Sequence, residues 1–302
     1  MRRTTQPPGL SRTHEEGSIG MDIQLADQHI FRLDDRLTPE EIRQRAMDRR
    51  TGAFGGGLGG LLQRPKADDI ELVDSQRRLE PFWHVACSAR YVYDRSRDYS
   101  VPANGPQVRE VMVNGETYPV SPGGSFVIPT VEHCREEFRQ ALFLDGVTGV
   151  PVADAASIIG GQRHEVADLA DLSAESDIVV PPEQRASFVV RQLLTGMLKP
   201  VQADSVTEES MTFEQIDLYF RPWWAFEFHW KVKDKRAVVE LDAVSGQIRP
   251  AEALLPRLSR MVTRDSMFDI GADTVGLLVP GGSVAVKVAK LAIEARNQRT
   301  SS

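Results

Sequence analysis

From Ile70 onward the apolar positions of the chain recur at every second residue. Ile70 and Leu72 begin the alternation. After Pro81, Trp83, Val85, Cys87, Ala89, Tyr91 and Tyr93 share one face of an extended strand, while Phe82, His84, Ala86, Ser88 and Arg90 share the other. The same period returns in strands expected at Ser210 to Phe220, Trp223 to Val232 and Ala237 to Leu241. The middle one sets Trp224, Phe226, Phe228, Trp230 and Val232 on one face and Ala225, Glu227, His229 and Lys231 on the other. Aromatics at alternate positions need a covering layer, and the nearest helix in sequence is the expected cover. Asn104-Gly105 and Asn114-Gly115 are turn signals. The second lies between Val111-Met112-Val113 and Glu116-Thr117-Tyr118 and is spaced for a two-residue hairpin.

A helical period appears in three places. Thr38-Pro39-Glu40-Glu41 supplies a cap, a proline at the first helical position and a capping-box glutamate, and predicts a helix to about Arg50. Thr130 to Leu142 spaces Val131, Cys134, Phe138, Ala141 and Leu142 by three or four and predicts a second. Pro181-Pro182-Glu183 opens a third, with Ala186, Val189, Val190, Leu193, Leu194 and Met197 as its apolar stripe. Gly52 to Gly60 reads as a mobile glycine-rich loop, because ordering glycine sacrifices the most backbone freedom.

Two short strings occur twice. Pro81-Phe82-Trp83-His84-Val85 is matched by Pro222-Trp223-Trp224-Ala225-Phe226, and Leu144-Asp145-Gly146-Val147-Thr148-Gly149 by Leu241-Asp242-Ala243-Val244-Ser245-Gly246. In the second string the aspartate can accept from downstream amides and the last glycine can take a positive φ, which is hairpin-turn chemistry. These strings predict an α+β fold of two related helix-on-antiparallel-sheet modules followed by C-terminal amphipathic helices. The expected segments are a flexible arm (1–35, with one ordered piece at Met21 to Leu33), a first module (36–152), a linker (153–178), a second module (179–250) and a C-terminal helical region (251–302).

The order helix, strand, strand, strand ending in an Asp-x-x-Thr/Ser-Gly turn resembles the PepSY-like modules, in which a helix packs on an antiparallel sheet. The resemblance covers roughly residues 181–250 and, more loosely, 38–101 and 139–152. It implies a non-catalytic binding or inhibitory module; modules of that kind are typically extracytoplasmic.

Composition narrows the function. The 302 residues carry a net charge of −7, which argues against nucleic acid as a partner, since binding it requires a basic surface. Two cysteines are too few for a disulfide scaffold. Thr4 to Gly20 is polar and offers no apolar core of a secretory signal, so a cytoplasmic location is expected. The longest apolar stretch, Thr274 to Val286, is interrupted by Pro280-Gly281-Gly282 and is shorter than the roughly 20 residues a transmembrane helix takes.

His84-x-x-Cys87 together with His133-Cys134 has the ligand types of a zinc site. Residues three apart on a strand face opposite ways, however, so Cys87 is expected buried, His84 on the surface and Cys134 half-buried, with no metal held. Cys134 near a helix start is a possible nucleophile, opposed by Glu132, Glu136 and Glu137. Glu227 and His229 could form an acid–base set with Glu240, although charges on a solvated sheet face are the ordinary arrangement. Gly55 to Gly60 lacks the Gly-Lys-Ser/Thr of a phosphate loop. Glu252 to Arg264 and Val284 to Arg296 read as helices, the latter amphipathic and basic. The expectation is a non-enzymatic protein-binding or assembly module without cofactor. Its partner contacts would be Phe54, Leu58, Trp223, Glu227, His229, Lys287, Lys290 and Arg296. The alternatives are peripheral membrane association through residues 272–296, and a zinc- or cysteine-dependent hydrolase built on Cys134, His133, His84 or Glu227.

Overall fold

The computed structural model describes residues 21–54, 65–167, 169–172, 177–251, 268 and 287–290. In chain order the elements are β1 (Asp22–Leu25), β2 (Gln28–Leu33), α1 (Pro39–Arg49), β3 (Ile70–Pro102), β4 (Glu110–Val113), β5 (Glu116–Pro119) and β6 (Ser125–Asp145). Then come α2 (Ala155–Ile158), β7 (Arg163–Glu165), β8 (Ile178–Val179), α3 (Ala186–Met197), β9 (Ser205–Trp230), β10 (Lys235–Asp242), β11 (Ile248–Ala251) and β12 (Lys287–Lys290).

Strand dominates, and ten of the strands belong to one mixed sheet. The expected pair of α+β modules is therefore not what forms. β3 and β9 run antiparallel at the centre, from Ile70 opposite Trp230 to Asp94 opposite Ser205, with bulges at Leu72/Asp74, Ala86/Cys87 and Val92/Tyr93. The far edge of β3 takes β6, and β8 in parallel. The far edge of β9 takes β10 antiparallel and β2 and β1 in parallel. What the sequence divides into two modules is joined through this ladder into one layer.

Thr130 to Leu142, expected as a helix, lies inside the 21-residue strand β6. The misreading has a geometric cause: Cys134, Phe138 and Leu142 recur every four residues, and four is a multiple of the strand period as well as one helical turn. All three pack against the core over β3. Lys287 to Lys290, expected in an amphipathic helix, form a strand parallel to β1. Glu252 to Arg264 lie outside the described residues.

The helices sit where the chain order does not suggest. α1 starts as expected: Thr38 Oγ1 accepts from Glu41 N (3.2 Å) and Glu41 Oε2 from Thr38 N (2.8 Å). Its Ile42 and Ala46 cover Phe226, Phe228, Trp230, Val239 and Leu241 of β9 and β10. The third predicted helix, expected over those aromatics, instead becomes α3, whose stripe from Ala186 to Met197 covers Trp83, Val85 and Cys87 of β3. Each helix precedes one long hairpin in the sequence and packs on the other.

The two Asp turns are built alike. Asp145 Oδ1 accepts from Val147 N (3.0 Å) and Thr148 N (2.7 Å), while Asp242 accepts from Val244 N (2.9 Å) and Ser245 N (3.1 Å). Gly146 N donates to Pro81 O (2.8 Å) and Ala243 N to Pro222 O (3.0 Å). The carbonyl of Gly146 receives Glu183 N and Gln184 N ahead of α3, and that of Ala243 receives Arg36 N and Leu37 N ahead of α1. Trp83 is opposite Leu144 and Trp224 opposite Leu241. Their burial differs: Trp83 is fully enclosed and donates to Gln184 O (2.8 Å), whereas Trp224 is half-buried.

A Cβ at Gly146 would stand 2.8 Å from Pro81 Cβ and 2.9 Å from Pro81 O. Gly146→Ala is therefore expected to cost about 1–3 kcal/mol, the usual range for overpacking. Urea denaturation measures this, and an unchanged midpoint would mean that the Pro81 strand gives way freely.

Candidate functional site

The ladder sorts side chains by face. On the side covered by α1 and α3, β3 and β9 are apolar from Leu79 to Val85 and from Ile216 to Phe220, with Arg77 beyond them paired to Asp35 and Asp177. On the opposite side four consecutive cross-strand pairs are Arg78 with Trp223, Glu80 with Arg221, Phe82 with Tyr219, and His84 with Asp217. Arg78, His84, Asp217 and Arg221 are all buried. This row contains the concentrated ionisable chemistry of the described residues and has two parts.

The first part is a cleft of about 430 Å³, floored by Glu80, Phe82, Arg221 and Trp223. One wall is Thr148 and Val150 to Val152 with Asp154, and the other is Gln247 to Arg249. Arg221 donates to Asp154 Oδ1 (3.1 Å) and Oδ2 (2.6 Å), to Asp242, and to Ser245 Oγ (3.1 Å). Its hydrogen bonds hold Asp154 below the ordinary carboxylate range. Arg249 donates to both oxygens of Glu80 (2.6 and 2.8 Å) and to Glu240 Oε2 (2.5 Å), and its guanidinium stands 3.9 Å from the Trp223 ring centroid. Arg78, 1% exposed, bonds Glu240 and lies 3.3 Å from Glu80. Burial pushes the Glu80 carboxyl up, against the pull of Arg249 and Arg78. A concave surface with an aromatic floor and a few fixed polar groups is the usual form of a binding site.

The second part is closed. His84 is stacked on Phe143 (4.4 Å between centroids, 3° between planes), and its Nδ1 lies 3.9 Å from Asp217 Oδ2. That Nδ1 has no hydrogen-bond partner among the described residues. Tyr219 OH accepts from Arg163 (2.8 Å) on β7 and interacts with Asp217. Burial pushes His84 down to about 4 and Asp217 up to about 6, so the imidazole is neutral at pH 7.

Of the sequence-derived candidates, only Trp223 lines the cleft. Phe54 is spent in packing, edge-on to Trp230 at 5.9 Å. Glu227 pairs with Arg236 (3.0 Å), and His229 with Asp234 (2.8 Å) and Glu71 (3.5 Å). Glu240, the expected third member of that set, is buried against Arg78 and Arg249. Lys287 and Lys290 stand in β12 at the opposite edge of the sheet from β11. Leu58 and Arg296 lie outside the described residues.

Cys87 is buried as expected, and burial pushes its thiol up to about 12. Cys134 is half-buried, but on a strand, so no helix start adjoins it. His84 is buried rather than surface-exposed, because Phe143 of β6 covers it. His133 pairs with Asp94 (2.7 Å). Among the described residues no group of three or more histidines, cysteines or carboxylates could hold a metal ion. No described helix is long and apolar enough to cross a membrane.

Sequence reasoning missed Arg78, Glu80, Asp154, Arg221 and Arg249, as well as the His84–Asp217 pair, and it placed Glu240 with Glu227 and His229 rather than with these arginines. The available signal was charge inside the aromatic run Asp217-Leu218-Tyr219-Phe220-Arg221-Pro222-Trp223, where alternation puts Asp217 and Arg221 on one face. No family model, no curated protein and no solved structure matches the chain.

Asp217 has a folded pKa raised above its unfolded value of about 3.9. The stability it confers is complete below that value and lost as pH rises through about 6. Asp217→Asn, which imitates the protonated form, should therefore be more stable than wild type by about 2–3 kcal/mol at pH 7.5. The gain should shrink to nothing toward pH 4 as both proteins become alike at this site. Urea melts across that range decide it, and a difference independent of pH would refute the buried-carboxylate account.

Proposed function

We propose that the protein is a non-enzymatic protein-binding or assembly module, working in the cytoplasm, that receives its partner at the Trp223 cleft. The observation that carries this reading is the composition of the cleft. Its cations, Arg221 and Arg249, are tied to Asp154, Asp242, Glu80 and Glu240 and hold the buried Trp223 indole beside them, while the exposed Val150, Pro151 and Ile248 stand at an open mouth. Ion pairs that hold each other in place favour a fixed surface over proton transfer, and aromatic and arginine side chains are the residues most enriched at protein interfaces.

Immobilised full-length protein, challenged with extract of its native cell, should retain a defined set of proteins. Trp223→Ala and the surface change Val150→Arg should both release that set, the second without touching the core. If both variants retain what the wild type retains, the cleft is not where partners dock and the reading falls.

A further inference from the structure

Arg249 is held in a box formed by two carboxylates and an indole ring. Its guanidinium lies over the Trp223 ring at 3.9 Å and bonds Glu80 twice and Glu240 once. The groups that hold it are enclosed: the side chains of Glu240 and Glu80 are 6% and 17% exposed, against 44% for Arg249 itself. Arg249 stands on β11, a four-residue strand that among the described residues pairs only with β10. The cage is therefore part of the sheet, and its occupant comes from the sheet's margin.

The charges call for a cation. Glu80 and Glu240 face one other buried guanidinium, that of Arg78, which is fixed at 1% exposure. Without Arg249 one negative charge would remain unbalanced in a largely desolvated place, which is strongly unfavourable until a cation returns. A flat guanidinium meets the geometry, stacking on the indole while donating to carboxylates in its own plane, and an ammonium cannot do both. Beside the box, Arg221 lines the cleft with its side chain 6% exposed, and its Nε has no hydrogen-bond partner among the described residues.

We propose that the cleft recognises an arginine side chain of a partner polypeptide, which replaces Arg249 between Trp223, Glu80 and Glu240, and that Arg249 is a built-in competitor. The inference rests on the cleft being the docking site, and adds to that reading the identity of the residue it takes. In the wild type the intramolecular arginine is always at hand, so a free arginine ligand competes poorly. Removal of Arg249 opens the box.

The test uses full-length wild type, Arg249→Ala and the milder Arg249→Gln with N-acetyl-arginine amide, N-acetyl-lysine amide and N-acetyl-citrulline amide. Binding is read by calorimetry and by the rise in thermal midpoint on adding ligand, the latter serving even for a variant that is unstable alone. The arginine compound should bind the Arg249 variants about tenfold or more tightly than wild type, the lysine compound less well and the uncharged citrulline compound not measurably. Adding Glu80→Gln to Arg249→Ala should abolish the gain. Equal affinity for wild type and variants, no binding to either variant, or citrulline binding as well as arginine would each overturn the proposal. Any of these outcomes together with partner release by Val150→Arg would leave the docking site standing and remove only its arginine specificity.

Discussion

Pairing of β3 with β9 decides which way every side chain in the middle of the sheet faces. Because the strand period is two, a slip of one residue would carry Arg78, Glu80 and His84 beneath α3 and turn Leu79, Trp83 and Val85 outward. Burial of the second set on one face and satisfaction of the first set on the other both require the observed register. The bulges at Leu72/Asp74, Ala86/Cys87 and Val92/Tyr93 absorb extra residues without exchanging the faces of the central row. Cleft and core are thus two sides of one alignment.

The polar side of that alignment is enclosed to an unusual degree for charged groups. Arg78 and Arg221 lose most of their hydration, and the compensation is close contact with Glu240, Asp242 and Asp154 rather than with water. Such pairs contribute little net stability compared with apolar packing, yet removing one member is costly because its partner is stranded. Their effect is on orientation: Trp223 lies between Arg221 at 5.5 Å and Arg249 at 3.9 Å and has little freedom to turn. The site is held in shape before anything arrives.

Local chemistry was legible in the sequence and partnership was not. The Thr38 capping box, the α3 stripe, the Asn114-Gly115 hairpin and the hydrogen-bonded Asp145 and Asp242 turns all follow from residues within a few positions of one another. So do the alternating faces of Trp83 and of Phe226 to Trp230. The choice of which helix covers which hairpin depends instead on contacts between residues far apart in the chain, on which periodicity is silent. β6 was misread because spacing by four satisfies both periods. The cleft was only touched through Trp223, since its charges belong to segments as distant as Glu80, Asp154 and Arg249, each unremarkable in its own neighbourhood.

The crossed arrangement of the helices bears on how the chain assembles during synthesis. α1 and β3 emerge early, but the hairpin that shelters Ile42 and Ala46 and the strand that satisfies the inner edge of β3 are both supplied by β9 and β10. Until Asp242 has left the ribosome, the leading portion holds Ile42 and Ala46 of α1 and an open strand margin with no native place to put them. Contacts of such long sequence separation form slowly, and unpaired margins invite wrong neighbours in the interval. β6, which carries Glu132, His133, Arg135, Glu136, Glu137 and Arg139 around the core-facing Cys134 and Phe138, lies on the portion made during that wait, and charge on such a strand discourages one nascent copy from adhering to the next.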